Sequence, residues 1–350
     1  MGQLLSHRKV GGTAVTTQPT YRSKGIYREI VTTTASTRNL TLLSRPFRSA
    51  GMLESLLKQL GFQMQVVQIS RGPLQGHLSA TRSAGGLLLQ LTTNQCLSCS
   101  GNRNQRWLAI ALEQTNNLEM HRLWGEPVGP CSVQGFNRNL TESIWQVSPH
   151  SHLSLLVIPV NRILDLIALD PSTTLQEVID TSNVVRFQSS HFKTLKSFLL
   201  SRDIHGYAAR DTLDALLLEC FMRPDNISTA GIPLSNRAEL MRDLLNFGFS
   251  NPSEAVSLET LSKTLLKSSS SITKASREQL GVSPMQLLKQ IRLQQVQNLL
   301  MDREQQHQLG TRSISSIAQQ FGFTAPNHFA RDFRTMFGES PRQTFSRIAT

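Results

Sequence analysis

Apolar residues recur at different spacings along the 350-residue chain, and these spacings divide it into stretches of different predicted structure. The first helix-spaced group ends before Gly61 and consists of Met52, Leu53, Leu56, Leu57 and Leu60. Residues 62–160 instead carry short apolar runs between clusters of Gly, Pro, Asn and Ser, which is typical of short antiparallel strands. This stretch therefore predicts a small antiparallel barrel or sandwich.

The helical spacing returns from about Asn161, where apolar groups at 163–167, 192–199 and 213–220 predict three helices. The apolar positions of the third group are Leu213, Leu216, Leu217 and Cys220. They fit a dimer seam and an internal packing face equally well. Pro and Gly residues between 223 and 233 place a domain boundary there.

Residues 235–350 have an almost wholly helical pattern that contains an internal repeat. The sequence Gly-Val-Ser-Pro-Met-Gln at 281–286 returns as Gly-Glu-Ser-Pro-Arg-Gln at 338–343, an offset of 57 residues. An apolar residue precedes each copy, and another lies eight residues further upstream. The repeated unit is therefore longer than the hexapeptide.

The second copy has the pattern of a helix-turn-helix. Ile314, Ile317 and Ala318 give one apolar helix face, and the sequence Phe-Gly-Phe-Thr at 321–324 supplies a tight turn. We expect Thr324 to cap the next helix and Pro326 to lie in its first turn.

On this second helix, Phe329, Phe333 and Met336 fall on one side and are expected in the core. The polar positions left over are Asn327, His328, Arg331 and Arg334, of which the first three point away from that core. Arg pairs with guanine and Asn with adenine, so these residues fit a surface that contacts DNA bases. The alternative interpretation is an ordinary helix face exposed to solvent. The turn, the cap and the duplication together favour contacts to DNA bases.

The first copy predicts a recognition helix over residues 269–280, with Ile272 facing inward. Its candidate DNA-binding residues are Ser270, Thr273, Lys274 and Arg277. Small hydroxyls and a Lys distinguish bases less well than Asn and Arg do. We therefore expect this unit to contribute affinity for DNA and to position the protein along the duplex, more than to select the sequence. A stiff helix of about sixteen residues between the copies, roughly 24 Å long, would hold the two units for successive major grooves.

These residues resemble the AraC/XylS family of bacterial transcription regulators. The resemblance covers about residues 235–350 and is carried by Ile317-Ala318, Gly322-Phe323, Phe329, Arg331, Phe333, Phe337-Gly338 and Ser340-Pro341. It implies that Asn327, His328 and Arg331 contact bases. Leu266 stands where the family has a glycine, and Ser276 where it has an aromatic residue.

The resemblance also implies an architecture for residues 62–223: a cupin-like β-barrel that binds a small effector, followed by helices that dimerise. It further implies a transcription activator that contacts RNA polymerase. Nothing in the sequence identifies the effector, and no cofactor is expected.

The charge is unevenly distributed along the chain. The net charge is +7 over residues 1–50, zero over 51–234 and +5 over 235–350. Basic ends favour a polyanionic partner, and residues 1–44 are expected to form a mobile basic arm. No apolar run approaches the roughly 18 residues that cross a bilayer. Four cysteines without a signal-peptide pattern lead us to expect a cytoplasmic location.

Two short motifs in the β-rich stretch have weaker chemical interpretations. His150-Ser151-His152 is similar to the two-imidazole motif of metal-binding cupins, but no suitably spaced Glu follows it, so no metal is expected. Cys96 and Cys99 form a lone CxxC, which we interpret as two ordinary thiols, with redox sensing left open. Trp107, Trp124 and Trp145 are expected to be core or strand-face residues, with an effector cage as the alternative.

The sequence thus predicts a multidomain α+β protein. Its expected parts are a basic arm (1–44), a cupin-like sensor domain (45–160), a helical linker or dimerisation region (161–230) and a DNA-binding domain with two helix-turn-helix units (235–350). The expected function is sequence-specific transcription regulation on double-stranded DNA, not catalysis, with an effector and a homodimer left open. The alternatives are a cupin-type metal enzyme with a fused DNA-binding tail and a non-specific nucleic-acid binder.

Overall fold

The computed structural model describes residues 41–170, 174–201, 206–221, 227–231, 236–253, 256–310 and 313–347. Residues 1–40 of the expected basic arm lie outside the described residues. Its last four positions, 41–44, belong to the first strand instead. The described residues all fall in one compact unit, within which we distinguish a β-rich part (41–231) and a helical part (236–347).

The β-rich part contains two antiparallel sheets. Its strands are β1 (Thr41–Phe47), β2 (Met64–Gln68), β3 (Gly76–Ser83), β4 (Gly86–Thr93), β5 (Leu97–Asn102), β6 (Trp107–Glu113), β7 (Arg122–Leu123), β8 (Glu126–Pro127), β9 (Ser132–Gln134), β10 (Glu142–Val147), β11 (Ser151–Pro159), β12 (Ser182–Phe187) and β13 (Ile227–Gly231). The larger sheet has the order β1-β3-β4-β11-β6-β9-β12-β13 and the smaller one β2-β5-β10-β7-β8. The α+β fold class with a cupin-like β-rich part is confirmed, and the described strands form two open sheets.

Strand β11 shows why this part of the sequence folds as a sheet. It lies between β4 and β6, where Leu155 pairs with Leu89 on one side and Ala111 on the other. Leu156 and Ile158 enter one hydrophobic core, while Leu153, Leu155 and Val157 pack in another. The strand is apolar on both faces, so its sequence is a continuous run rather than an alternation.

The helices of the β-rich part are α1 (Ala50–Gln59), α2 (Val160–Leu169), α3 (Leu175–Thr181), α4 (Ser189–Leu200) and α5 (Gly206–Phe221). Helix α1 and the three expected helices from residue 160 onward are confirmed as α1, α2, α4 and α5. The stretch expected to be helical also contributes β12 and β13, which extend the larger sheet.

The apolar face of α5 packs inside the chain. Leu213, Leu217 and Cys220 are 0–2% exposed and share a core with Phe136 and Phe221. Of the two interpretations left open by the sequence, the internal packing face is the one observed. These side chains therefore do not form a dimer seam.

The helical part consists of α6 (Asn236–Ser250), α7 (Leu258–Leu265), α8 (Ser269–Leu280), α9 (Pro284–Leu300), α10 (Arg303–Gln308), α11 (Ile314–Gln320), α12 (Pro326–Phe337) and α13 (Pro341–Ser346). The sequence repeat is a structural repeat, because α8 and α12 are both 12 residues long and end at glycines with φ 74°. Ser283 and Ser340 then cap the next helices in both copies.

Helix α9 connects the two copies. It has 17 residues and is therefore about 25 Å long at 1.5 Å per residue. Leu287, Leu288 and Ile291 belong to the core around α8, and Leu293 and Val296 to the core around α12. One helix thus contributes to the cores of both copies.

Candidate nucleic-acid interface

The second helix-turn-helix is built from α11, a glycine turn and α12. Gly322 has φ +76°, which a side chain would strain, and an added Cβ would lie 2.7 Å from Ser253 O. Its position therefore requires glycine for conformation and for close approach to the segment after α6.

The start of α12 differs from the prediction in one respect. Its N-cap is Ala325, whose side chain makes no capping hydrogen bond, so the expected cap at Thr324 is wrong. Pro326 does occupy the first turn, as expected, where its missing N–H has no helical partner to lose.

Aromatic residues fix the orientation of α12. Phe323, Phe329, Phe333 and Phe337 form a chain of ring contacts with centroid distances of 5.1, 5.6 and 4.7 Å. The candidate DNA-binding residues on this helix are all exposed: Asn327, His328, Arg331 and Arg334. The packing leaves two Arg, one His and one Asn on the free surface of α12.

The first helix-turn-helix replaces the turn glycine with Leu266. Its φ is +53°, in the left-handed region, and its side chain is 87% exposed. The backbone therefore has a positive φ here, as it has at Gly322 in the turn of the second unit, even though the glycine is missing. A leucine in this conformation is strained and receives little packing in return.

The recognition helix of this unit is α8, with the expected bounds 269–280. Ile272 is buried as predicted, and Ser276, where the family has an aromatic residue, is 0% exposed. Ser276 Oγ donates a hydrogen bond to Val282 O at 2.7 Å, so this position joins the helix to the following turn by polar contact.

Three of the four candidate residues on α8, Ser270, Lys274 and Arg277, are exposed, whereas Thr273 is half-buried. Lys274 Nζ lies 3.9 Å from Glu278 Oε1. Because both side chains are exposed, this ion pair is weak and restrains Lys274 little. α8 thus exposes two cations with the acidic Glu278 beside them, whereas α12 exposes two Arg together with an Asn and a His.

Two cationic side chains on α9 were not identified by the sequence analysis. Lys289 pairs with Asp332 of α12, and the Arg292 guanidinium lies 5.7 Å from the centre of the Phe323 ring. Burial lowers the pKa of Arg292. Both residues join the connecting helix to the second unit, and neither occurs in a motif that could have marked it.

The β-rich part contacts α9 and both recognition helices. Gln294 Nε2 donates to Val66 O at 2.5 Å, and Gln290 Nε2 donates to Ile69 O at 3.1 Å. Gln279 of α8 packs so closely on the β7–β8 turn that a Cβ added at Gly125 would collide with it.

At α12, Gly72 N donates to Met336 O at 2.8 Å. The β-rich part therefore touches each recognition helix near its C-terminal end, away from the exposed candidate residues.

A cleft of about 700 Å³ lies between α1, β2, β5 and β10 on one side and α6 on the other. Arg242 Nη1 of α6 lies 3.2 Å from Glu142 Oε2 of β10, an ion pair between the two parts of the chain. On α1, burial raises the pKa of Glu54 to about 7, partly offset by the hydrogen bond from Val66 N.

The histidine motif is not arranged as a metal site. His150 is an exposed turn residue with φ +57°, and His152 N donates to Glu113 Oε1 at 2.8 Å. Among the described residues, there is no group of three or more His, Cys, Asp or Glu side chains that could hold a metal ion.

The CxxC pair lies in the protein interior. Cys96 and Cys99 are free and buried, and burial raises the pKa of Cys96 to about 12 and that of Cys99 well above its ordinary value. Thiols in this state are weak nucleophiles. The geometry agrees with two ordinary core thiols.

Ser148, His121 and Glu113 form a buried chain of hydrogen bonds. His121 Nδ1 accepts from Ser148 N at 3.2 Å, and its Nε2 lies 3.0 Å from Glu113 Oε2. Ser148 is 0% exposed and its Oγ also accepts from Met120 N, so the hydroxyl has no access to a substrate. The network joins the chain before β7 to β6 and to the residue after β10.

None of the helices in the described ranges is long and apolar enough to cross a membrane.

Comparison with known proteins gives a family match in the helical part. Residues 261–347 match a family model described as a helix-turn-helix domain. The XylDLEGF operon transcriptional activator 2 of Pseudomonas putida is 28% identical over 121 residues, which are 35% of this chain and 73% of that protein.

Solved structures of similar proteins include a probable AraC family transcriptional regulator from Rhodopseudomonas palustris CGA009. It is 34% identical, with 31% of this chain and 97% of that chain covered and a TM-score of 0.28. ToxT from Vibrio cholerae is 13% identical over 81% of this chain and 97% of its own, with a TM-score of 0.29.

The residues matched by the family model include both recognition helices, α8 and α12, and the helix α9 that joins them. The chain is therefore a DNA-binding transcription regulator whose residues 261–347 form a helix-turn-helix domain of the AraC/XylS type.

Proposed function

We propose that this chain activates transcription by placing α8 and α12 in two successive major grooves on one face of a promoter. The observation that carries the proposal is that two recognition helices with exposed polar residues are attached to a single buried helix, α9. Successive major grooves recur about every 34 Å, and a rigid connection lets one encounter place both helices.

In this proposal the two helix-turn-helix units, called heads below, differ in selectivity, and the head that contains α12 distinguishes bases better than the head that contains α8. Arg331 pairs with guanine, Asn327 with adenine, and His328 contacts a neighbouring base edge. Arg334, also exposed, contacts the phosphate backbone. On α8, the residues that contact DNA are Ser270, Thr273, Lys274 and Arg277. Their short hydroxyls and their two cations contribute mainly affinity and register.

The β-rich part is proposed to control DNA binding because it contacts α9 and both recognition helices. An effector in the cleft between α1 and α6 would touch both parts and favour one of their arrangements. Asn246 of α6 lines this cleft. Filling the cleft by Asn246→Trp should abolish the response to such an effector while leaving the affinity for DNA without effector unchanged.

Activation implies a contact with RNA polymerase and a location in the cytoplasm, and dimerisation would use a surface other than the buried face of α5. The name of the Pseudomonas putida relative, a transcriptional activator, supports activation over repression. A reporter gene behind the selected DNA site should rise in expression with the protein present.

The direct test is selection of bound sequences from a random duplex library at one fixed salt concentration, with the wild type beside Arg331→Ala. The proposal expects one enriched motif with two half-sites and a loss of preference in only one of them for the variant. Arg303→Ala is the matched control, because Arg303 is exposed on α10, outside both recognition helices.

The same experiment separates the alternatives. A non-specific nucleic-acid binder would enrich no motif and would bind all duplexes with the same steep salt dependence. A cupin-type enzyme with a DNA-binding tail would carry a bound metal, which metal analysis of the purified protein would detect.

A further inference from the structure

The outer edge of β2 faces the connecting helix α9. β2 is the terminal strand of the smaller sheet, so the groups on its outer side have no strand partner there. Val66 N donates to Glu54 Oε1 at 2.7 Å, which satisfies one of them from α1. Gln294 satisfies the next two, since its Nε2 donates to Val66 O at 2.5 Å and its Oε1 accepts from Gln68 N at 3.1 Å.

The amide of Gln294 thus bonds to β2 as a residue of a neighbouring strand would, with one donor and one acceptor. Gln290 lies one turn earlier on the same face of α9, and its Nε2 donates to Ile69 O at 3.1 Å. The two glutamines are 4% and 1% exposed. Together they cover the strand edge from Val66 to Ile69.

Polar side chains at these buried positions define one docking register. A buried amide is costly unless it is hydrogen-bonded, and apolar residues would tolerate a sliding contact. A shift of α9 by one turn, about 5.4 Å, would remove both glutamines from their partners and leave the strand edge unpaired. Gln290 Oε1 is buried without a hydrogen-bond partner among the described residues, whereas the Gln294 amide is bonded through both its nitrogen and its oxygen. Gln294 therefore supplies most of the constraint, because any arrangement that moves it away from β2 leaves a buried amide unpaired.

The same helix holds both recognition units. Leu287 and Ile291 lie in the core around α8, whereas Lys289 and Arg292 contact the second unit. A displacement of α9 on the β-rich part would therefore be felt by both units.

We propose that Gln290 and Gln294 are positioning residues for DNA recognition. They fix α9 on the β-rich part, which also contacts α8 at Gln279 and α12 at Met336. Because these three contacts together hold the two recognition helices relative to each other, the preferred spacing of half-sites depends on the glutamines. This proposal rests on the proposed function, because it requires that the two heads read one DNA site.

The test compares Gln294→Met with Gln295→Met in the full chain. Gln295 is the next residue on α9, and its Nε2 donates to Phe249 O at 3.1 Å within the helical part, so it is the matched control. Methionine keeps the length and helix preference of glutamine but removes the amide. The readouts are hydrogen exchange of single amides and binding to duplexes with the preferred spacing and with five inserted base pairs.

Gln294→Met should speed exchange of the Gln68 amide by at least about tenfold, while the Val66 amide, held by Glu54, stays protected. The discrimination between the two DNA spacings should fall by about fivefold or more, and Gln295→Met should change neither readout. Protection of Val66 reports that the fold is intact. If it is lost, Gln294→Asn, which keeps the amide on a side chain shorter by one carbon, replaces the variant.

If Gln294→Met leaves the exchange rate of the Gln68 amide unchanged, the proposed contact between Gln294 and β2 is wrong. If exchange becomes faster but the discrimination between the two DNA spacings stays the same, the positioning role is wrong. Failure of the proposed function gives a different result. The wild type would then show no preference between the two spacings, whereas the exchange of Gln68 would still report on the contact.

Discussion

Lys289 of α9 and Asp332 of α12 form an ion pair in which Nζ and Oδ2 lie 2.5 Å apart. Asp332 follows Arg331 directly, so the pair holds the one acidic side chain of this recognition helix towards α9. Without Lys289 its charge would be uncompensated beside the residues proposed to contact DNA. The connecting helix thus sets both the position and the local charge of the second head.

Replacing Lys289 with Met should weaken binding to the second half-site by roughly two- to fivefold, the range of an exposed ion pair worth up to about 1 kcal/mol. Binding measured on duplexes with either half-site scrambled separates the two heads. Lys289→Arg should retain most of the affinity, and adding Asp332→Asn to Lys289→Met should restore it. A double variant as weak as the single one would show that the pair is not the cause.

Lys274→Ala on the first head should weaken all DNA sites evenly. Lys274 is exposed, and in our account its ammonium contacts phosphate rather than a base. The slope of log affinity against log salt concentration should therefore decrease by about 0.9, the value for one lost phosphate contact. A changed base preference in one half-site would contradict this role.

Leu266→Gly should stabilise the helical part by about 1 kcal/mol, because glycine adopts a positive φ without the steric strain of leucine. Leu266 is 87% exposed, so little packing is lost with its side chain. Leu266→Ala keeps the strained conformation and should leave the free energy of urea unfolding nearly unchanged. A glycine variant less stable than the wild type would show that Leu266 makes stabilising contacts.

The buried network around Glu113 should make stability depend on pH. Burial by itself raises the pKa of Glu113, but hydrogen bonds from His121, Ser151 and the N–H groups of His152 and Thr115 outweigh it and lower the pKa from 4.5 to about 2. A carboxylate whose pKa is lowered by folding stabilises the folded state at every pH above its pKa in the unfolded chain. This stabilisation is lost as the pH falls towards 2, the pKa in the folded state.

Glu113→Gln should therefore cost about 3 kcal/mol of unfolding free energy at pH 6, and the difference from the wild type should shrink steadily between pH 4.5 and 2. Urea unfolding of both proteins at each pH gives the difference directly and cancels the contributions of other carboxylates. A difference independent of pH would show that Glu113 is not the titrating group.

Local signals predicted much of the helical part. The repeat around Gly281 and Gly338 identified two helix ends, because a helix cap depends on few neighbouring residues. The apolar spacing of Phe329 and Phe333 likewise defined which side of α12 is buried. Thr324 was the exception, since its neighbour Ala325 caps the helix without a side-chain bond.

Contacts between distant segments could not be predicted in the same way. Gln290 and Gln294 have the polarity of an exposed helix face, and only the unpaired edge of β2, more than 220 positions earlier, explains their burial. Strand β12 lies among helices in the sequence and is a strand because β9 and β13 pair with it. Sheet partners and domain docking depend on tertiary context, which a single sequence does not encode locally.

Binding of the full chain to its selected DNA site, with zero, five or ten inserted base pairs between the half-sites, shows whether the two recognition helices act as one rigid unit. Five pairs turn the second half-site to the opposite face of the duplex, since one helical turn is about 10 to 10.5 pairs. With both heads fixed on α9, either insertion should reduce the affinity to that of a duplex with one half-site scrambled. Equal affinity for all three duplexes would contradict the account, because the heads would then bind independently.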